Sequence, residues 1–319
     1  MPEKLLKIRN LQTSFKIAGK YYAAVDNVNL DIYKNEIFAI VGESGSGKSA
    51  MALSVTGLHN KNYTKVEGSV LYKGQNLLIM GEDEINKIRG CQISMIFQDS
   101  LQSLNPLIKI GLQVEESLLY HTNLNKAERK TKALHMLKEV ELPEITYSKL
   151  PHELSGGMRQ RVMIAIATIT KPKIIIADEP TTALDVTIQA TILELLKKLQ
   201  KETRASIILI THDLGVVAEI ADRVGVMYAG QMVEVANVYD LFQNPKHPYT
   251  RALLGSVPGG KGMLKTINGT VPPLQYMPKT GCRFALRTPW VPNYIHEKNS
   301  TYHRVSPGHY VLCSCYKRS

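Results

Sequence analysis

No apolar run in this 319-residue chain approaches the roughly 20 residues that span a bilayer, so no membrane-crossing helix is expected. Cysteine is scarce. Cys91, Cys282, Cys313 and Cys315 are too few and too unevenly spread to read as a disulfide framework. The opening MPEKLLKIRN has neither a long apolar core nor a small-residue cleavage site, which argues against a secretory signal and for a chain that stays in the cytoplasm. A repeat of solenoid type is also missing. What the C-terminal quarter lacks is acid. From Lys246 onward eleven Lys and Arg face a single acid, Glu297, a net of +10 that leaves about +1 for the other 245 residues. Such a tail suits an anionic partner, whether nucleic acid, membrane surface or acidic protein, or is simply a solvated basic appendage.

What is present is ordinary globular material: 44% hydrophobic and 21% charged residues, enough for one large domain plus an appendage or for two modest domains. LLKIRNLQTSF and AAVDNVNLDI alternate loosely and read as strands, and NEIFAIVG is a short buried-strand run ending in glycine. AMALSVTGL reads as a helix, GSVLYKG as a strand, DEINKIRG as a helix, and QISMIFQD as a strand ending at Gln98. Residues 111–170 show helical periodicity and no strand signal. Then follow the strand PKIIIADEP, the helix TIQATILELLKKLQKET, the strand ASIILITHD, a helix from about Gly215 to Asp222, the strand RVGVMYAGQMVEVA and the short helix VYDLF. Alternating strands and helices predict a parallel α/β sheet with a helical insertion at about 100–170. A boundary is expected near residue 250. Counting from Lys246, eight of the fifteen prolines and the one Trp, Trp290, fall in the tail, whose aromatics favour a small folded cap over disorder.

The chemistry begins at GESGSGKS, residues 42–49, a full match to G-x-x-x-x-G-K-[ST] between a strand and a helix. Gly42, Glu43, Ser44, Gly45, Ser46 and Gly47, continuing into Lys48, Ser49 and Ala50, offer backbone N–H groups to phosphate oxygens. Lys48 supplies a cation for the outer phosphates and the Ser49 hydroxyl a ligand for Mg²⁺. IIIADE supplies a second half. Asp178, at the exposed end of a buried strand, is suited to holding Mg²⁺ through water, and Glu179 is placed to take a proton from an attacking water. Gln98 and His212 also end strands. A glutamine there can ligate the metal or orient water, and a histidine can donate to a terminal phosphate. More than a hundred residues after the first cradle, Ser155, Gly156 and Gly157 precede a helix-like run and offer a second place for an anion.

The order of P-loop, FQDSLQSLNP, LSGGMRQR, IIIADEPTTALD and ITHD resembles the ATP-binding cassette (ABC) ATPases over about residues 5–250. The resemblance implies the fold of that family: an α/β P-loop NTPase nucleotide-binding domain with a helical subdomain, followed at 251–319 by a basic, proline-rich, irregular extension. It implies ATP hydrolysis with Mg²⁺ as cofactor. It also assigns Ser155, Gly156 and Gly157 to the family signature, Asp185 to a loop that touches a partner subunit, His212 to the switch histidine and Phe15 to the aromatic that stacks on adenine, with Tyr22 a weaker candidate. Members pair head to tail, so each ATP lies between one subunit's P-loop and the other's signature. That accounts for two distant cradles in one chain.

SLNPLIKIGLQVEE, HPYTRALLGSVP, GCRFALR and GHYVLC resemble the ATPase subunits of bacterial peptide and nickel importers. This branch implies di- or oligopeptide import, with a metal-chelate importer as alternative. The partners it implies are a second, homologous or identical ATPase, two transmembrane permeases and, indirectly, an extracytoplasmic binding protein. It implies a peripheral place on the cytoplasmic face of the membrane, and no nucleic acid. Residues 99–110 correspond to the stretch that docks on permease coupling helices. Some relatives hold an iron–sulfur cluster through four tail cysteines. Here Thr288 occupies the second cysteine position. Cys282, Cys313 and the extra Cys315 fall short of a Cys₄ set, so the expectation is a clusterless cap; His303 or His309 as substitutes has no support. The rival classes are a soluble nucleic-acid-associated ABC ATPase, for which the basic tail is the best argument, and a P-loop kinase, against which LSGG and ITHD speak.

Overall fold

The computed structural model of the chain describes residues 3–182, 184–256, 267, 269–288, 297 and 299–314. The first third forms β1 (Lys4–Ile17), β2 (Lys20–Tyr33), β3 (Ile37–Val41), α1 (Lys48–Thr56), β4 (Thr64–Tyr72), β5 (Gln75–Asn76), α2 (Glu82–Asn86) and β6 (Ile93–Ile96). A helical stretch follows: α3 (Ser100–Ser103), α4 (Ile110–His121), α5 (Lys126–Glu139) and α6 (Gly156–Thr168). The chain then returns to alternation with β7 (Ile174–Asp178), α7 (Val186–Thr203), β8 (Ser206–Ile210), α8 (Leu214–Ile220), β9 (Arg223–Tyr228), β10 (Gln231–Asn237), α9 (Val238–Gln243) and α10 (Pro248–Gly255). The tail adds β11 (Thr301–Ser306) and β12 (His309–Cys313).

The larger sheet has the order β11-β12-β10-β9-β3-β8-β7-β6. Its centre is parallel, with Ile37 opposite Ile207 and Asp178 opposite Ile210. β10, β12 and β11 extend it antiparallel. The smaller sheet, β2-β1-β4-β5, is antiparallel throughout. Strands β3, β7 and β8 are buried along their whole length. This is why they read as continuous apolar runs and not as alternation: both faces are covered. On β7, Ile175 and Ala177 face the core shared with the helices, while Ile174 and Ile176 face the core beneath the small sheet. Trimming any of these isoleucines to Ala is expected to cost about 2–5 kcal/mol.

Two elements differ from the sequence reading. RVGVMYAGQMVEVA is not one strand but the hairpin β9–β10, in which Tyr228 pairs with Gln231 across a two-residue turn. Ala229 and Gly230 both take positive φ, 48° and 84°, as a tight turn matched to strand twist demands. An Ala-Gly pair lacks the Asn-Gly or Asp-Gly signature, so the reversal is hidden in the sequence. The tail also carries a hairpin whose β12 pairs with β10, Glu234 opposite Val311, so it lengthens the main sheet. The aromatic residues Tyr228, Tyr249 and Phe284 form the core beneath it.

Candidate functional site

The buried strand β3 stops at Val41, and the chain must turn at once into α1. Gly42 and Gly47 make this possible. A Cβ on Gly42 would drive into the Met227 carbonyl oxygen, and one on Gly47, at φ 101°, into that of Ala24. The loop between them curls round the Lys48 ammonium, which donates to the carbonyls of Gly42 at 2.8 Å and Glu43 at 3.0 Å. Burial pushes the Lys48 ammonium below its ordinary value, against the pull of Glu179, Asp178 and Glu43.

Carboxylates come from the end of the neighbouring parallel strand β7. Asp178 Oδ1 accepts from the Ser49 hydroxyl at 3.0 Å. Burial raises the Asp178 carboxyl above the usual carboxylate range; Ser49 and Lys48 pull it back down, and the charge of Glu179 adds to the rise. Glu179 sits at φ 45°, a left-handed backbone uncommon for a residue with a Cβ. Its Oε2 is shared by three neighbours: the Thr182 hydroxyl at 2.7 Å, Gln98 Nε2 at 3.3 Å and His212 Nδ1 at 3.4 Å. The ends of β6, β7 and β8 thus deliver Gln98, Glu179 and His212 to one point, because the three strands run parallel in adjacent places.

These groups open on a cavity of about 350 Å³ lined by Phe15, Ala24, Ser44 to Ala50, Gln98, Glu179 and Leu274. Phe15 also packs edge-on against His59, with ring centroids 5.6 Å apart. Tyr22 pairs with Phe15 across the β1–β2 register but lines a different cavity, together with Leu274 and Arg283. Hydroxyl, carboxylate and amide oxygens at Ser49, Asp178 and Gln98 are hard donors of the kind Mg²⁺ takes.

Ser155, Gly156, Gly157 and Asp185 do not line that cavity. Ser155 caps α6, accepting from Met158 N at 3.3 Å, and Asp185 caps α7, accepting from Ile188 N at 3.0 Å. The structure therefore joins the P-loop, Asp178, Glu179, Gln98 and His212 but leaves the second cradle apart. In the tail, Cys282 and Cys313 are buried, while Cys315 lies outside the described residues. The Thr288 hydroxyl donates to the carbonyls of Phe284 at 3.2 Å and Ala285 at 3.1 Å. Among the described residues, no group of three or more His, Cys, Asp or Glu is placed to hold a metal ion, and no helix is long and apolar enough to cross a membrane.

Sequence reasoning missed three supports of the phosphate loop. Gly230 N donates to Ser46 O at 2.9 Å, Glu43 N donates to the Tyr249 hydroxyl at 2.9 Å, and Arg287 pairs with the Glu43 carboxylate. Tyr249 and Arg287 lie inside HPYTRALLGSVP and GCRFALR, but nothing in those stretches announces a partner over 200 residues upstream.

Comparison with known proteins gives two family models. One, described as ABC transporter, matches residues 25–182; the other, described as Oligopeptide/dipeptide transporter, C-terminal region, matches 233–291. The oligopeptide transport ATP-binding protein OppD of Lactococcus lactis subsp. cremoris is 46% identical over 325 residues, covering 99% of this chain and 95% of that one. The dipeptide transport ATP-binding protein DppD of Bacillus subtilis is 50% identical over 293 residues, covering 90% and 87%. Among solved structures, a dimeric ATP-binding cassette in a post-hydrolysis state, bound to ADP and Pi, superposes with a TM-score of 0.67 at 34% identity, covering 73% of this chain and 98% of that one.

Proposed function

The chain belongs to the ABC transporter family, and we propose that it is the ATP-binding and ATP-hydrolysing subunit that energises import of di- or oligopeptides. The observation that carries this reading is the convergence of Ser49, Asp178, Gln98, Glu179 and His212 around the Lys48 loop, with Ser155–Gly157 held elsewhere on the same chain. The peptide assignment rests on relatives named for oligopeptides and dipeptides and on the C-terminal family model, which set a nickel cargo aside.

In this reading Phe15 stacks on adenine while the backbone N–H groups of residues 44–50 and the Lys48 ammonium hold the phosphates. Ser49, Gln98 and Asp178 hold Mg²⁺, which neutralises phosphate charge when bound. Glu179 accepts the proton of the attacking water, its carboxylate oriented by Thr182 and Gln98. His212, mostly exposed at the mouth of the site, donates to the terminal phosphate. The Ser155–Gly157 helix end and Asp185 serve the nucleotide of a second ATPase subunit in a head-to-tail dimer, as the dimeric cassette that this fold resembles suggests. Two membrane permeases are the remaining direct partners, with a binding protein beyond them and no nucleic acid involved. Leu101, Leu107 and Ile108 are exposed apolar side chains suited to a permease, which supports a peripheral position on the cytoplasmic face of the membrane.

The test is peptide uptake by vesicles containing the assembled complex. ATP hydrolysis should rise with peptide and binding protein. Phosphate release that ignores peptide would refute the transport reading, and phosphorylated product in place of free phosphate would indicate a kinase.

A further inference from the structure

Glu43, the second residue of the phosphate loop, is gripped by groups that no motif connects to it. Arg287 Nη1 meets Glu43 Oε2 at 2.6 Å and Nη2 meets Oε1 at 3.0 Å, a two-pronged pair. The Arg287 side chain is 5% exposed and that of Glu43 27%, so solvent screens the pair far less than a surface salt bridge. The guanidinium lies over the rings of Tyr228 and Phe284, 5.7 Å from each centroid. It also donates to the carbonyl of Gly269 at 3.1 Å. Phe284 in turn packs on Tyr228 and Tyr249, at 5.1 and 5.4 Å between centroids. From that same aromatic cluster the Tyr249 hydroxyl accepts the backbone N–H of Glu43. Both ends of Glu43 are therefore fixed from one platform, and its carbonyl holds Lys48.

Tail attachment alone does not require this pair. The tail is already fastened by Arg283, which reaches Asp26 and the Ala229 carbonyl at 2.5 Å each, and by the pairing of β12 with β10. A bidentate pair aimed at the loop, with Leu274 of the same segment lining the loop's cavity, has a further consequence. Loop amides bind phosphate well only if they already point inward, since ordering them on arrival subtracts from affinity.

Resting on the function proposed above, we propose that Arg287 is a positioning residue for the phosphate loop, through which the C-terminal segment pre-shapes the nucleotide site. Nucleotide affinity thereby depends on a segment outside the ATPase motifs. By reciprocity, bound nucleotide stabilises the attachment of that segment.

Calorimetric titration of the full-length chain with Mg-ADP tests this. Arg287→Gln and Glu43→Gln are each expected to raise Kd about tenfold, and the double variant no more than either single one. Arg287→Lys should recover only part of the loss, because an ammonium cannot fill both carboxylate oxygens in the same geometry. Tyr302→Phe is the control: it removes the tail's hydrogen bond to the Met232 carbonyl on β10, and should lower Tm without moving Kd. Glu43→Gln keeps the Arg287 contacts with Tyr228, Phe284 and the Gly269 carbonyl, and carries the test if Arg287→Gln fails to fold. A Kd within about twofold of wild type in Glu43→Gln, or an equal rise in Tyr302→Phe, overturns the inference. Failure of the wild-type chain to bind Mg-ADP would instead bring down the ATPase reading, and this one with it.

Discussion

The hydroxyl of Ser49 donates a 3.0 Å hydrogen bond to Asp178 Oδ1, tying the start of α1 to the end of β7 across 129 residues. Asp178 is buried and its carboxyl is raised above the ordinary range, chiefly by that burial. A raised carboxyl pKa means that the ionised form is less favoured in the fold than in the unfolded chain. Its charge therefore works against folding at neutral pH, and the penalty disappears in acid. Asp178→Asn should hold or raise Tm in magnesium-free buffer while cutting ATP hydrolysis at least about 100-fold. A clearly lowered Tm, or hydrolysis at the wild-type rate, would contradict this.

Glu179 gathers Thr182, Gln98 and His212 on one carboxylate oxygen. Glu179→Gln keeps the shape and removes the proposed proton acceptor, so phosphate release should fall by about three orders of magnitude with ATP still bound. Gel filtration with Mg-ATP should then show a persistent dimer. Turnover at the normal rate would mean that Glu179 is not the base.

At the head of α6, a Cβ on Gly156 would meet only Leu184 Cδ2, at an ordinary 3.5 Å. Gly156→Asp should therefore fold and bind ATP, yet lose hydrolysis about 100-fold by placing a negative charge where, in the proposed head-to-tail dimer, the neighbour's phosphates would dock. Mixing it with Lys48→Ala, itself inactive, should restore part of the activity. The mixed dimer regains one site with an intact loop from one copy and an intact signature from the other. If mixing restores nothing, the sites are not shared.

The buried His247 ring accepts the Tyr249 N–H on Nδ1 at 3.0 Å, capping α10. Burial draws its pKa from 6.5 down to about 4, against the pull of Glu234. Glu234 accepts the backbone N–H groups of Lys246 and His247 and pairs with His309. Because the folded value is the lower one, the unfolded chain binds more protons between those two pH values. Stability is therefore complete above pH 6.5 and falls on acidification toward pH 4, by up to ~3 kcal/mol from this ring. His247→Asn keeps a capping acceptor that does not titrate, and should flatten that part of the Tm–pH curve. An unchanged slope would show that other groups carry it.

What could be read in advance followed from locality. The buried strands β3, β7 and β8 announce themselves because each carries at least four consecutive apolar residues, and the loop at 42–49 because its chemistry lies in consecutive residues. Asp178, Glu179, Gln98 and His212 were legible because each ends a recognisable strand. Arg287 and Tyr249 were not, since their meaning lies in a contact 244 or 206 residues away that only the folded sheet creates. The Ala229–Gly230 turn escaped for the opposite reason. It is local, but it uses Ala where a more telling residue would ordinarily stand.

That turn has a practical consequence. Hairpin tips are the usual places to splice in an epitope or a fluorescent reporter, because most of them face water. This one is buried; Gly230 donates to Ser46 O and accepts from the Asp26 N–H. Lengthening it by even one residue would tug on the strand–helix junction where ATP is expected to sit, so tags belong on some other loop.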